Sequence, residues 1–362
     1  MNGEMKTSKS STYEEAGVSI DAGERAVESI KQVVASTKIE GVIGGIGGFG
    51  GLFDLTKAQA SGSVLVSSTD GVGTKSYLAS SLRKYDTIGY DLVAMCVDDI
   101  TVLGAKPLFM LDYLSIGRLD PVVATEIVTG VANGCRDVGA ALLGGEMAEH
   151  PGSMPDGHFD LAGFVVGIVD DGAIWGSHRV RLGDALIGVG SPNLRSNGLS
   201  LARKIVFGTS NLHESDSSSV EEFQSVARSP FENSTIGETM LEPSILYYPA
   251  VSKLVDAGVS VRAAAHITGG GIPGNLNRVL PKNLTAEVET SSWTPPPIFS
   301  FLQEKGEVES SEMFRVFNMG IGMVLVVDQA EKTTAIEHLI QQGHQAYEIG
   351  VVDSGDGTVK IK

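Results

Sequence analysis

Cysteine is almost missing from this chain: Cys96 and Cys135 are the only two in 362 residues, and each sits inside an apolar run. That excludes a disulfide-stapled extracellular scaffold and suits reduced core thiols. Positive charge is also short, with 27 Lys and Arg against 44 Asp and Glu and a net charge of −17. Sequence-independent nucleic-acid or anionic-membrane binding needs a cationic surface, so neither partner is expected. No run approaches the roughly 18 consecutive apolar residues of a membrane span. The opening "MNGEMKTSKSST" has no apolar leader. Together these absences predict a soluble, cytoplasmic protein in which any phosphate ligand is held by local groups.

Glycine is in excess, with 45 residues against a usual share of about 7%. The glycines follow no repeat and cluster at the ends of apolar runs, where positive φ and close backbone approach to a ligand are useful. The length predicts two domains, divided near residue 172 into 1–172 and 173–362. The spacing of Ala26, Ile30, Val33 and Val34 predicts a helix leading into the glycine-rich run 41–55. "SVLVSST" (63–69) reads as a short buried strand, 86–104 as a helix and "PLFMLDYLSI" as a strand. Asp120, Pro121 and Gly139 mark the cap, first turn and stop of another helix. "ALLGG" is then a strand opening at Glu146 into a loop, and "FDLAGFVVGIVD" a further strand. The second half repeats the habit of strand, glycine turn and helix, with a Ser-rich insertion at 208–230. Alternating strands and helices define an α/β or α+β fold.

Three glycine stretches carry candidate chemistry. "DGVGTKS" (70–76) resembles half of a P-loop, but Thr74 stands where glycine should precede the lysine. "GGIGGFGG" meets the dinucleotide pattern at Gly45, Gly47 and Gly50, yet a helix precedes it where a strand is required. Its backbone N–H groups suit an anion nest instead. Asp70, Asp98 with Asp99, Asp112 and Glu146 fall at strand ends or inside apolar elements, where a carboxylate needs a partner or a metal. Converging oxygens suit Mg²⁺ and a substrate phosphate. Lys75 and Lys31 offer point charges to the same phosphate. In the second half, Arg195 and Asn197 in "SPNLRSNGLS", and His266 with Asn275 in "HITGGGIPGN", flank turns that start helices, natural phosphate seats. A His at a strand end is also a common structural residue.

The blocks "YEEAGVSIDAG", "GGIGGFGG", "STDGVGTK", "DTIGYDLVAMCVDDI", "GGEMAEHPG", "SNGLSL", "HITGGGIPGNLNRVLP" and "FNMGIGM" resemble the phosphoribosylformylglycinamidine cyclo-ligase (AIR synthetase) family in order and spacing. The resemblance spans nearly the whole chain. It implies a two-domain α/β (α+β) fold shared with thiamine-monophosphate kinase and selenophosphate synthetase. The N-terminal mixed sheet would form a barrel across a homodimer, and a C-terminal α/β domain would complete the substrate site. The implied reaction is the ATP-dependent closure of formylglycinamidine ribonucleotide to aminoimidazole ribonucleotide, with ADP and phosphate released, in purine synthesis. The alternative is a small-molecule kinase of the same superfamily.

Carried onto this sequence, the resemblance implies ATP contacts at Lys31, Gly44, Gly45, Gly47, Gly48, Gly50, Gly51, Thr74 and Lys75. It implies Mg²⁺ on Asp70, Asp98 and Glu146, catalytic roles for Asp70, Lys75 and His266, and substrate contacts at Arg195, Asn197, Gly269, Gly270 and Gly271. Three positions depart from the pattern: Arg195 stands where His is common, Ile245 where an Arg is familiar, and Asp99 where Asn is common. An always-protonated guanidinium at 195 suits phosphate binding better than proton abstraction.

Overall fold

The computed structural model describes residues 20–40, 42–43, 52–53, 57, 63–207 and 234–362. The run Gly44 to Gly51 and the insertion 208–230 lie outside the described residues. Helix α1 (Ile20–Ala35) buries Ile30 and Val34, as their spacing predicts. Strands β1 (Val42–Ile43) and β2 (Leu52–Phe53) then pair antiparallel, Val42 with Phe53 and Ile43 with Leu52. The two ends of the glycine-rich run are thereby held side by side.

Strands β3 (Ser63–Gly71), β4 (Lys106–Ile116), β5 (Ala141–Glu149) and β6 (Phe159–Asp170) form a four-stranded sheet in the order β3-β6-β4-β5. β4 and β5 are parallel and the other pairs antiparallel. A parallel pair needs a crossover, supplied by α4 (Pro121–Val138), whose N-cap Asp120 accepts from Val122 N at 2.8 Å and whose end is set by Gly139 at φ 68°. Helices α2 (Lys75–Leu82) and α3 (Ile88–Thr101) join β3 to β4. α3 is buried along most of its length, with Leu92 and Cys96 against Gly163 of β6 and Ile100 against Gly167.

Two expectations differ. β3 is not a buried strand, because the described helices cover one face of this sheet; on the other face Leu65 is 53% exposed. Glu146 does not open a loop, since β5 stays paired with β4 as far as Ile116 with Glu149. Both cysteines are free and buried, and burial pushes both thiols well above their usual pKa.

In the second half, β7 (Ala185–Gly190), β8 (Val261–His266), β9 (Leu284–Val288), β10 (Ile321–Val327), β11 (Ala346–Ser354) and β12 (Val359–Ile361) form a six-stranded sheet. Its order is β12-β9-β11-β7-β10-β8, antiparallel except between β12 and β9. Between β7 and β8 lie α5 (Leu199–Phe207), α6 (Ile236–Leu241) and α7 (Tyr248–Asp256). α8 (Gly271–Leu276), α9 (Pro297–Gly306), α10 (Ser310–Val316) and α11 (Lys332–Gln341) follow. α7 and α11 bury Val251, Leu254, Ala335 and Leu339 on one face of the sheet, and α8 buries Ile272 and Leu276 on the other. α5, α9 and α10 instead join the core of the first half: Leu199, Ala202, Phe299, Leu302 and Met313 share one apolar cluster with Leu78, Ile88 and Leu92. No described helix is long and apolar enough to cross a membrane.

Candidate active site at the seam

Turns from both halves meet at this seam. The first follows β3, where Val72, Gly73 and Thr74 lead into α2; Gly73 lies beside the Ser196 carbonyl, and Thr74 Oγ1 is 3.2 Å from Ser200 Oγ. The second runs from Asn193 to Gly198 ahead of α5. Within it Arg195 is held at φ 58°, a region that L side chains avoid. Ser196 Oγ and Asn197 Oδ1 are shielded there and meet no hydrogen-bond partner among the described residues. The third follows β8. Gly270 and Gly271 take φ of 99° and 60°, and a Cβ on Gly271 would sit 1.8 Å from the Phe314 carbonyl, so only glycine fits. Asn275 Nδ2 staples this turn, donating to Gly271 O at 2.8 Å and to Gly269 O at 3.3 Å.

Beneath the turns, α3 presents carboxylates to a segment of the second half. Asp91 Oδ1 accepts from Lys75 Nζ and from Ser244 N, both at 2.8 Å, and from Ser244 Oγ at 2.5 Å. Asp98 Oδ2 accepts from Arg195 Nη2 at 2.6 Å, and its Oδ1 from Tyr247 N at 3.2 Å. Seven residues of helix advance about 10 Å, which the chain from 244 to 247 spans only when extended. Residues 244–247 are thus a strap laid along α3 and pinned at both ends. Lys75 also donates to Glu242 O at 2.6 Å, two residues ahead of the strap, and Arg195 to Ile245 O at 2.9 Å within it, so each cation ties α3 to this segment of the second half. All four charged side chains of these pairs are fully buried.

Asp99, next on the helix, turns the other way. Its Oδ2 accepts from Ser68 Oγ at 2.9 Å and its Oδ1 lies 2.8 Å from His266 Nδ1. The other ring nitrogen of His266, Nε2, is 3.2 Å from Arg195 Nη2. The guanidinium also lies over the Tyr247 ring, 4.8 Å from its centroid.

Several sequence expectations are redrawn by this geometry. Lys75, expected on an ATP phosphate, spends its ammonium on Asp91 and Glu242 O. Arg195, expected on the substrate, is committed to Asp98 and the strap. Asp98, expected on Mg²⁺, has its oxygens taken by Arg195 and Tyr247 N. Register explains Glu146: Asp70, Gly163, Asp112 and Gly145 share one row of the sheet, while Glu146 pairs with Tyr113 in the next row. Alternate rows face opposite sides, so Glu146 is exposed on the open face, away from Asp70. Asp70, Asp98 and Glu146 therefore do not fit a metal ion as a set, and no cluster of His, Cys, Asp and Glu among the described residues does. Lys31 is exposed on α1 and pairs with Glu28 at 2.5 Å.

Electrostatics sharpen the contrast between the acids. Burial raises the pKa of Asp70, outweighing the bond from Gly71 N at 2.7 Å, and the nearby Asp99 charge raises it further. Burial works in the same direction at Asp99, but the hydrogen bonds from His266 and Ser68 outweigh it and hold that carboxyl below its usual range. Burial lowers the pKa of Lys75 against the pull of Asp91. Sequence reasoning missed Asp91, Ser244 and Tyr247. The available signal was an Asp seven residues before Asp98 in an otherwise apolar helix, which asks for a buried partner.

Two family descriptions match the chain in tandem: AIR synthase related protein, N-terminal domain, over residues 51–169, and AIR synthase related protein, C-terminal domain, over residues 181–362. Fold and seam thus define an AIR synthase related protein with both domains in one chain. The phosphoribosylformylglycinamidine cyclo-ligase of Bacillus pumilus (strain SAFR-032) is 47% identical over 350 residues, covering 96% of this chain and 97% of that protein. The enzyme of the same name from Trichlorobacter lovleyi is 48% identical and covers 95% of each chain. Among solved structures, the hydrogenase maturation protein HypE in complex with ATP has a TM-score of 0.61 at 15% identity, covering 94% of this chain and 90% of that chain, a likeness of fold alone. The chain belongs to the phosphoribosylformylglycinamidine cyclo-ligase family.

Proposed function

We propose that the turns at the seam carry out the family reaction, the ATP-dependent closure of formylglycinamidine ribonucleotide to 5-aminoimidazole ribonucleotide with release of ADP and phosphate. The observation that carries this reading is 47% identity to a cyclo-ligase across 96% of the chain. A formyl oxygen leaves poorly. Transfer of the ATP γ-phosphoryl group onto it makes it a phosphate ester, and attack by a neighbouring nitrogen on the formyl carbon then expels inorganic phosphate and closes the ring. Such a transfer is catalysed mostly by positioning and charge neutralisation.

The residues suited to that work are the ones with free valence at the turns. Ser196 Oγ and Asn197 Oδ1 are orphaned polar atoms of the second turn, as is Arg195 Nε beside them, and the backbones of Gly269 to Gly271 carry no side chain between them and a ligand; we assign Ser196, Asn197 and these glycines to the ribonucleotide. Thr74, which caps no helix N–H with its hydroxyl, is assigned to the ATP phosphates, with Lys31 and the backbone of Gly44 to Gly51. Mg²⁺ enters, on this reading, as the counter-ion of the nucleotide, with Asp70 as the carboxylate to test. The open sheet face bearing Leu65, Tyr113 and Phe164 supports a homodimer joined through it, and the cytoplasm is the expected compartment.

The test is to incubate the chain with formylglycinamidine ribonucleotide, ATP and Mg²⁺. Aminoimidazole ribonucleotide and inorganic phosphate in equal amounts are expected; a phosphorylated product without free phosphate would return the chain to the kinase reading. Asp70→Asn should fold normally and lose about a hundredfold in turnover, the scale of a lost charge partner in a transition state.

A further inference from the structure

His266 has the setting of a general base, a histidine at the end of a strand beside a glycine turn and a carboxylate. Its hydrogen-bond partners settle differently. A carboxylate oxygen only accepts, so the 2.8 Å contact with Asp99 Oδ1 requires the proton on Nδ1. A guanidinium only donates, so the 3.2 Å contact with Arg195 Nη2 requires a lone pair on Nε2. Arg195 cannot swing aside: it is fully buried, tied to Asp98 Oδ2 at 2.6 Å and Ile245 O at 2.9 Å, and lies over the Tyr247 ring. The two Nη2 hydrogens are thus divided between Asp98 and His266. Both ring nitrogens of His266 are committed, and no lone pair remains for a substrate proton.

We propose that His266 is a positioning residue, locked in its Nδ1–H form by Arg195 and Asp99, and that it transfers no proton in the reaction. The lock ties the second half to the adjacent carboxylates Asp98 and Asp99 at the end of α3. Through Ser68, which donates to Asp99 at 2.9 Å, it reaches β3 two residues before Asp70. On the other side His266 is followed at once by the turn Thr268 to Gly271. The pair therefore fixes the separation between the end of β3 that carries Asp70 and the turn assigned to the ribonucleotide. The strained φ of 58° at Arg195 is what places its guanidinium between Asp98 and His266, a conformation that the surrounding contacts must hold. This extends the cyclo-ligase reading, on which its kinetic test rests; its spectroscopic test is independent of any activity.

The spectroscopic test is nitrogen NMR on the wild-type chain labelled with ¹⁵N-histidine, which has seven histidines, the His266 signals being those lost in His266→Asn. A protonated Nδ1 and a bare Nε2 are expected; a proton on Nε2 would overturn the proposal. The kinetic test compares His266→Asn with His266→Ala. An Asn amide can donate to Asp99 from nearly the position of Nδ1, so His266→Asn should keep turnover within about tenfold of wild type. His266→Ala, which lets the turns drift, should lose about a hundredfold in kcat. Equal turnover in the two variants, at either level, would show that the Nδ1–H bond is not the function of the ring. If His266→Ala fails to fold, the NMR result on the wild type decides alone.

Discussion

Asp91 shows how this chain keeps a buried charge. One of its oxygens takes three donors and the ammonium of Lys75 neutralises it, both side chains being fully buried, while its other oxygen meets no partner among the described residues. Removing one member of such a pair strands the other, so Lys75→Met should cost about 3–5 kcal/mol in denaturant unfolding. The double variant Lys75→Met/Asp91→Leu should recover part of that loss, because no unpaired charge stays buried. Asp112 is the opposite case. It lies on the helix-covered face between Gly145 and Gly163, and burial without a cation raises its pKa from 3.8 to about 7. The folded state then holds a proton that the unfolded state has lost, so stability falls as pH rises from about 4 to about 7. Asp112→Asn should therefore melt above wild type at pH 8, with the advantage shrinking toward pH 5; an advantage that grew on acidification would contradict this assignment.

At the scale of elements, local signals decide the structure where one residue type has one use. Asp120, Pro121 and Gly139 bound α4 as expected, and the alternating run of β6 is a strand over its full length. Where tertiary pairing decides, the sequence was silent. β5 continues through Glu146 because β4 is there to pair with it, and Lys75, which the glycines place on a turn, is already the first residue of α2, its ammonium paired with Asp91 of α3. The site was legible to the same degree. Runs of glycine announced the turns, since few other residues accept those backbones. The partners of Asp98, Lys75 and Arg195 were not legible, because a buried carboxylate looks alike in sequence whether it meets a metal or a guanidinium. Gly271→Ala tests the third turn: its Cβ would press on the Phe314 carbonyl, so the variant should lose more than about 1 kcal/mol of stability and weaken binding of the ribonucleotide, measured by calorimetry.

The whole molecule is organised around its seam. One apolar cluster runs from α3 into α5, α9 and α10, and beside it the two buried ion pairs pin the strap, so the halves have little freedom to separate. Away from the seam, the open face of the four-stranded sheet exposes large apolar side chains. Phe164 is 40% exposed there, and Leu65 and Tyr113 are exposed on the two strands that pair with its own. A dimer joined through this face should dissociate in Leu65→Asp/Phe164→Asp, read by light scattering, while the melting of each monomer stays cooperative. The central claim is that ATP activates the formyl oxygen for departure, and it is tested most directly by following that atom. With ¹⁸O in the formyl group of the substrate, mass spectrometry of the released inorganic phosphate should find one labelled oxygen per turnover. Unlabelled phosphate, with the label recovered in water, would contradict the account.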